Sequence, residues 1–365
     1  MLAGSLFGTF GVSLLVSLLL LATSHRHAQW SADSADGVQR SHSASTPRIG
    51  GIAVLAGVLA GWAWAPTEAN QTLLGGLILA GMPAFAFGLA EDLTKRISVR
   101  VRLLAALSCG VLGYLFTGLS ITDVQVPGMD WLLSFTLLSV AFTAFALAGV
   151  ANAINIIDGM NGLAGGTVLL ILCSFVLLSQ TLGDAALLQT CLVLGAATFG
   201  FMLINWPIGK LFLGDGGAYF LGFSVAWVAV LLLWRHPQVS AWAPLLICSF
   251  PVLEVLFSMR RRWRRDRSID APDRLHLHSL VKRRLVRRML PNSSQLVRNS
   301  VTGALMWGAS LVPAWIALNA YTNTPTLVLG LALSALLYAA AYARLTQFRW
   351  CFWSLLEQSF AKNFG

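Results

Sequence analysis

Asp and Glu together number 15 in 365 residues, so carboxylates that adjoin long apolar runs are conspicuous. Glu91 and Asp92 end one such run and precede Lys95, Arg96, Arg100 and Arg102. Adjacent carboxylates can hold a hard cation such as Mg2+, or one of them can take a proton. The same cluster can equally mark a helix end whose charges set topology. The stretch from Asn152 through Asn155, Asp158 and Asn161 to Leu163 repeats a polar side chain every third residue. On a helix that spacing keeps neighbours on about one face, and Gly159 and Gly162 allow a turn or a close approach to a ligand. A polar stripe between apolar runs suits a ligand such as a sugar nucleotide; a loop whose amides cap helix ends is the plainer reading.

Phe212-Leu213-Gly214-Asp215-Gly216-Gly217 opens another apolar run. Glycines ahead of a helix N-terminus present backbone N–H groups to a phosphate. Asp215 offers a hard oxygen to Mg2+, and Phe212 a ring to stack on a base. A tight turn capped by Asp215 accounts for the same residues without a ligand. In Asp273-Arg274-Leu275-His276-Leu277-His278 the histidines share a face if the segment is extended. Imidazole can neutralise or protonate a phosphate near neutral pH, whereas two histidines alone are too few for a zinc site. His25, His27 and His42 receive no role. Glu254 lies inside an apolar run and requires a partner; basic residues near the inner surface supply one, to hold the fold or to contact a substrate.

The elements that must position these groups are membrane helices. The chain is 56% hydrophobic and 11% charged, with a mean hydropathy of +0.71, against about 25% charged residues in a soluble domain. Its apolar runs approach the ~20 residues that cross a bilayer as a helix, and lipid offers backbone groups no partner outside the chain. The alternation of a membrane barrel is absent. The expected fold is all-α: one polytopic transmembrane helix bundle over residues 1–365, with eleven spans near 4–22, 49–66, 72–90, 103–121, 131–150, 164–182, 186–206, 217–234, 241–259, 300–320 and 326–343. No basic residue precedes the first span, which therefore reads as a retained anchor.

With the N-terminus periplasmic and the C-terminus cytoplasmic, 24 of the 25 Lys and Arg fall inside and only Arg235 outside. Topology thus accounts for the net charge of +10 without nucleic acid. The run Arg260, Arg261, Arg262, Arg264 and Arg265 reads as a stop beside acidic lipid heads, or as a contact for an anionic substrate. Four of the five cysteines, Cys109, Cys173, Cys191 and Cys248, fall in spans, Cys351 does not, and none pairs as CxxC, so neither disulfides nor a cysteine metal site is expected. The polar loops 45–51, 91–102, 151–165, 207–217 and 260–299 all land on the cytoplasmic side, which argues for one composite site. The lack of an internal repeat disfavours a repeat-built transporter.

Five motifs follow in order: Pro47-Arg48-Ile49-Gly50-Gly51, Glu91-Asp92, Asn155 to Leu163, Gly214-Asp215-Gly216-Gly217 and His276-Leu277-His278. Over roughly residues 45–285 the chain resembles the polyprenyl-phosphate N-acetylhexosamine-1-phosphate transferases, glycosyltransferase family 4. That family includes enzymes that start many O-antigens and the translocase that makes the first lipid intermediate of peptidoglycan. The resemblance implies a Mg2+-dependent reaction, with Mn2+ as a substitute, at the cytoplasmic face of a bacterial inner membrane. A UDP-N-acetylhexosamine would give its sugar 1-phosphate to undecaprenyl phosphate, releasing UMP and initiating O-antigen, lipopolysaccharide or another surface glycan. It also allows a homodimer.

Carried over residue by residue, the resemblance implies that Asp215 and Asp92 bind the metal. Glu91, Asp92, Asp158, Asp215, His276 and His278 would form the catalytic set, with Glu91 and Asp92 at the lipid phosphate and the histidines near the diphosphate. Arg48, Asn152, Asn155, Asn161, Phe212 and Gly214 would bind substrate, the Phe212 ring stacking on uracil. The chain departs from the family pattern with Glu91 for an Asp, Asn161 for the second Asp of DGxDG, Gly217 for Ser and Ser279 for a third His. Asn161 can bind but cannot act as a base. These features look more like the O-antigen type. The expected chemistry is direct attack by the lipid phosphate, with a two-step route through an aspartyl intermediate as the alternative. A transporter and an inactive family member, the latter motivated by Asn161, are the rival readings.

Overall fold

The computed structural model describes residues 2–31, 46–263 and 275–347. His42, Arg264, Arg265, Asp273, Arg274 and Cys351 lie outside the described residues. Among the described residues every regular element is a helix: α1 Leu2–Ala22, α2 Ser24–Ser31, α3 Gly50–Ala63, α4 Glu68–Thr94, α5 Val99–Thr117, α6 Met129–Leu133, α7 Thr136–Ile157, α8 Leu163–Thr181, α9 Ala185–Asn205, α10 Gly214–Arg235, α11 Trp242–Ile247, α12 Ser249–Trp263, α13 Leu277–Val281, α14 Arg287–Met289, α15 Gln295–Asn319 and α16 Thr324–Thr346. A π-helical turn, Lys282–Val286, joins α13 to α14.

Local chemistry sets many of these boundaries. Thr67, Asp184 and Asn323 each accept a backbone N–H from the first turn of the helix they precede, satisfying donors that have no partner within the helix. Nine of the helices, α1, α4, α5, α7, α8, α9, α10, α15 and α16, are long and apolar enough to cross a membrane. Their outward side chains are apolar: Leu137 is 81% exposed and Phe145 and Leu329 are each 70% exposed. Such a surface suits lipid contact, and the chain is a multi-pass membrane protein.

Two of the eleven expected spans take another form. Helix α3 has 14 residues, about 21 Å at 1.5 Å per residue, short of the ~30 Å hydrocarbon core. The span expected at 241–259 breaks between α11 and α12, where Pro251 has no N–H to return to Ile247. The span expected at 131–150 begins later and continues to Ile157, so that Asn152 and Asn155 ride on a helix.

Helix α10 is the axis of the bundle, buried along nearly its whole length and packed on α4, α7 and α3. Its two ends carry opposite arrangements of charge. At its C-terminal end Arg235 donates to Asp184, the residue before α9, from Nη2 at 3.0 Å, and His236 Nε2 lies 3.0 Å from the same carboxylate. At its N-terminal end stands Asp215.

Candidate active site

The start of α10 is built from four segments. Gly214 has φ +76°, and a Cβ there would run into the Arg48 carbonyl and Asp92, so only glycine fits. One turn of α4 lies against it: a Cβ on Gly88 would come 2.6 Å from the Gly216 main chain. That approach lets Asp92 reach across. Its Oδ1 accepts from the N–H of Asp215 at 3.0 Å and its Oδ2 from that of Gly216 at 2.9 Å. Asp92, 1% exposed, thereby caps a neighbouring helix, satisfying two free donors and facing the positive end of its dipole.

The segment before α3 is laced to the segment before α10. Phe212 donates its N–H to the Pro47 carbonyl at 2.9 Å, and Gly50 donates to the Phe212 carbonyl at 2.8 Å. This carries Arg48 to the same point. Asp215 Oδ1 accepts from Nδ2 of Asn155 on α7 at 3.0 Å and from Nη2 of Arg48 at 3.3 Å. Asp215 Oδ2 is paired with Nη1 of Arg102, on the first turn of α5. Asn152, one turn before Asn155, accepts from the Tyr219 hydroxyl of α10 at 3.3 Å. One carboxylate thus faces two guanidinium groups, with a second buried carboxylate, Asp92, against its own backbone. The Arg48 side chain is 28% exposed, whereas that of Asp215 is 9% exposed. A partly open pair of guanidiniums on a rigid helix end is suited to a phosphate or diphosphate.

The glycosyl transferase family 4 model matches residues 74–233, which include Asp92, Arg102, Asn155 and Asp215. The chain is 30% identical over 275 residues to a probable undecaprenyl-phosphate N-acetylglucosaminyl 1-phosphate transferase of Bacillus subtilis (strain 168), with 74% of this chain and 75% of the relative covered. The chain belongs to glycosyl transferase family 4. It is also 29% identical over 254 residues to the undecaprenyl-phosphate alpha-N-acetylglucosaminyl 1-phosphate transferase of Escherichia coli (strain K12), covering 67% of each. The protein of that name from Salmonella typhimurium is 27% identical over 304 residues, with 77% of this chain and 78% of the relative covered.

The other expected residues of this family-4 chain divide by position. Glu91 and Asp92 make separate contacts. Consecutive helical residues diverge, and Glu91 Oε2 instead accepts the N–H of Ile97 at 2.7 Å, shaping the turn between α4 and α5. Asp158 caps the C-terminus of α7, half-buried, one turn beyond Asn155. Asn161 lies apart from Asn152 and Asn155. It is 0% exposed, and its Nδ2 donates to Ser300 Oγ of α15 at 3.1 Å. The spacing of three keeps a common face only while the helix lasts, and α7 ends at Ile157. The main chain of Phe212 and Gly214 lies in the site, as described. His276 and His278 gather around Glu254, and Nε2 of His278 lies 3.4 Å from where a Gly159 Cβ would stand. The partners of Glu254 are therefore imidazoles rather than the basic residues near the inner surface.

Arg102 is the residue that reading the sequence missed, because a positive charge at a span end reads as topology. A signal existed: Arg100 and Arg102 occupy the first turn of a helix, where the dipole disfavours cations unless an anion faces them. For Mg2+, no group of three His, Cys, Asp or Glu converges among the described residues. Mg2+ asks for less, keeping several waters and taking one or two carboxylates plus substrate phosphates. Asp215 with the amide oxygen of Asn155 fits that need. Asp92 accepts one backbone N–H on each oxygen and keeps a second lone pair on each.

Proposed function

We propose that this protein transfers an N-acetylhexosamine 1-phosphate from a UDP-sugar to undecaprenyl phosphate, releasing UMP, on the cytoplasmic side of a bacterial inner membrane. The product, an undecaprenyl-diphosphate sugar, would begin an O-antigen or another surface glycan. The observation that carries this reading is the meeting of Arg48, Arg102 and Asn155 on Asp215 at the start of α10. The names of the relatives support the acceptor and the sugar phosphate.

In the proposed step an oxygen of the lipid phosphate forms a bond to the β-phosphorus of the donor. The bond from that phosphorus to the oxygen bridging the α-phosphorus breaks, and its electron pair leaves with UMP. The acceptor is already an anion, so no activated side chain is needed. Phosphoryl transfer depends mainly on positioning and charge neutralisation. Arg48 and Arg102 would bear on the charge that grows on the leaving UMP. Mg2+, held by Asp215 and Asn155, would supply further neutralisation of the diphosphate. Asp92 fixes the direction of Asp215 by holding its backbone.

The test is UMP release from the full chain in bilayer discs with undecaprenyl phosphate, Mg2+ and a panel of UDP-N-acetylhexosamines. Release that requires both lipid and Mg2+, and that is lost in Asp215→Asn, is the expected result. Full activity of Asp215→Asn would remove Asp215 from the reaction.

A further inference from the structure

Glu254 is 0% exposed on α12, and a carboxylate at such depth is retained only with partners. Its partners converge from two other segments. Oε1 accepts from the N–H of His278 at 3.3 Å and lies 3.2 Å from the ring Nδ1 of the same residue. Oε2 accepts from the N–H of Leu277 at 3.3 Å and from the Tyr338 hydroxyl of α16 at 2.8 Å. Nδ1 of His276 lies 3.4 Å from Oε2, a charge contact without the alignment of a hydrogen bond. The two imidazoles are parallel within 4°, their centroids 5.3 Å apart. With both Nδ1 atoms turned to Glu254, both Nε2 atoms face away from it. That of His278 faces the Gly159 backbone, where no side chain intervenes, next to Asp158 and one turn from Asn155. All four residues of the cluster lie beyond the 74–233 stretch matched by the family model.

We infer that Glu254, steadied by Tyr338, is a positioning residue that fixes the ring orientation and tautomer of His276 and His278 and aims their Nε2 atoms at the phosphates of the substrate. A neutral acceptor could cap the N–H groups of Leu277 and His278. What a carboxylate adds is an acceptor for Nδ1 of His278 and an oxygen 3.4 Å from Nδ1 of His276, which fixes how both rings are turned. The parallel stacking of two rings on one carboxylate serves that end and gives little packing of its own. The inference rests on the transferase reading for its catalytic meaning, though not for its structural content.

The experiment labels the imidazoles with 15N in the full chain in bilayer discs and assigns His276 and His278 by single substitution. In the unaltered protein both rings should show protonated Nδ1. In Glu254→Gln both signals should move toward mixed tautomers, with kcat for UMP release falling on the order of 10–100-fold, the scale seen when a partner that orients a ligand histidine is removed, and KM for the donor within about twofold. In a background lacking both imidazoles, Glu254→Gln should bring no further loss, since it acts through them. Tyr338→Phe, whose ring stays packed on Phe257 at 4.5 Å, should shift the His276 signal and spare that of His278, which keeps the test open if Glu254→Gln does not fold. Unchanged ring signals in these variants would overturn the inference, as would a full further loss in the background without imidazoles. An unaltered protein that releases no UMP with any donor, yet shows the expected ring signals, would instead defeat the transferase reading and leave the orienting role of Glu254 standing.

Discussion

Helix α10 carries a buried carboxylate–arginine contact at each end, roughly 30 Å apart at 1.5 Å per residue, and the two have little else in common. At the C-terminal end Asp184 meets Arg235 and His236 and also accepts the N–H of Leu187 at 3.0 Å. One carboxylate closes on one arginine, and its remaining lone pairs cap α9. All partners come from the two short connections flanking that corner, so the arrangement is a staple. At the N-terminal end Asp215 draws on Arg48, Arg102 and Asn155 from three distant segments, with glycine at the points of closest approach. A charge pair as such therefore says little about function. Convergence from separate segments is what separates a site from a staple.

The contrast can be broken most directly by neutralising each carboxylate in turn. Asp215→Asn should lower kcat at least about 100-fold, the scale of losing a group that organises transition-state charge, with its melting temperature little changed. Asp184→Asn should leave the UMP release rate per folded molecule within about twofold. If the two variants behaved alike, the distinction between site and staple would fall. The next effect belongs to Arg102. Arg102→Met keeps the length of the side chain and removes the charge, and a charge-assisted hydrogen bond contributes about 1.5–3 kcal/mol. A loss of about 10–100-fold in kcat/KM for the donor should follow, measured by initial rates; no loss would make Arg102 a topology charge only.

A third substitution tests a residue that the motif placed in the site and that the fold buries against α15. Asn161→Asp would restore the family's DGxDG pattern, yet Asn161 donates to Ser300 Oγ in a fully buried position. A carboxylate there gives up that donor. The variant should be less stable by about 1–3 kcal/mol in urea or thermal unfolding, with kcat for the folded fraction unchanged. A gain in kcat would return Asn161 to the catalytic groups.

These residues also show where the sequence was legible. Apolar runs near 20 residues specify the helical bundle, because lipid enforces their length locally. Asp215, Asn155 and Arg48 stood out because a polar side chain beside an apolar run has few structural excuses. Two spans take another form for local reasons of their own: α3 stops after 14 residues, and the helix expected over 241–259 is divided near Pro251. What stayed hidden is tertiary. Asp92 caps α10 only because Gly88 and Gly216 let two backbones touch. Arg102 belongs to the site only because α5 begins beside α10. Asn161 lost its face when α7 ended four residues before it. No spacing rule within one segment can show which segment lies opposite.

The smallest effect is the one that tests whether Asp184 is a staple at all. Burial pushes its carboxyl upward, but hydrogen bonds from Arg235, the Leu187 N–H and His236 outweigh it and leave a pKa of about 2, below the ~3.9 of an unfolded Asp. A carboxyl held lower in the folded state stabilises the fold above about pH 4 and ceases to do so as pH falls toward about 2. After allowance for solvent at this corner of the bundle the contribution is about 1 kcal/mol. Asn is as good a helix N-cap as Asp, so Asp184→Asn isolates the charge from the cap. Between pH 6 and pH 3 about half of that contribution is lost, and the unaltered protein should lose about 1 °C more in melting temperature than the variant. Equal losses would mean that the Asp184 charge does not hold the C-terminal end of α10, and the difference between the two ends would then rest on Asp215 alone.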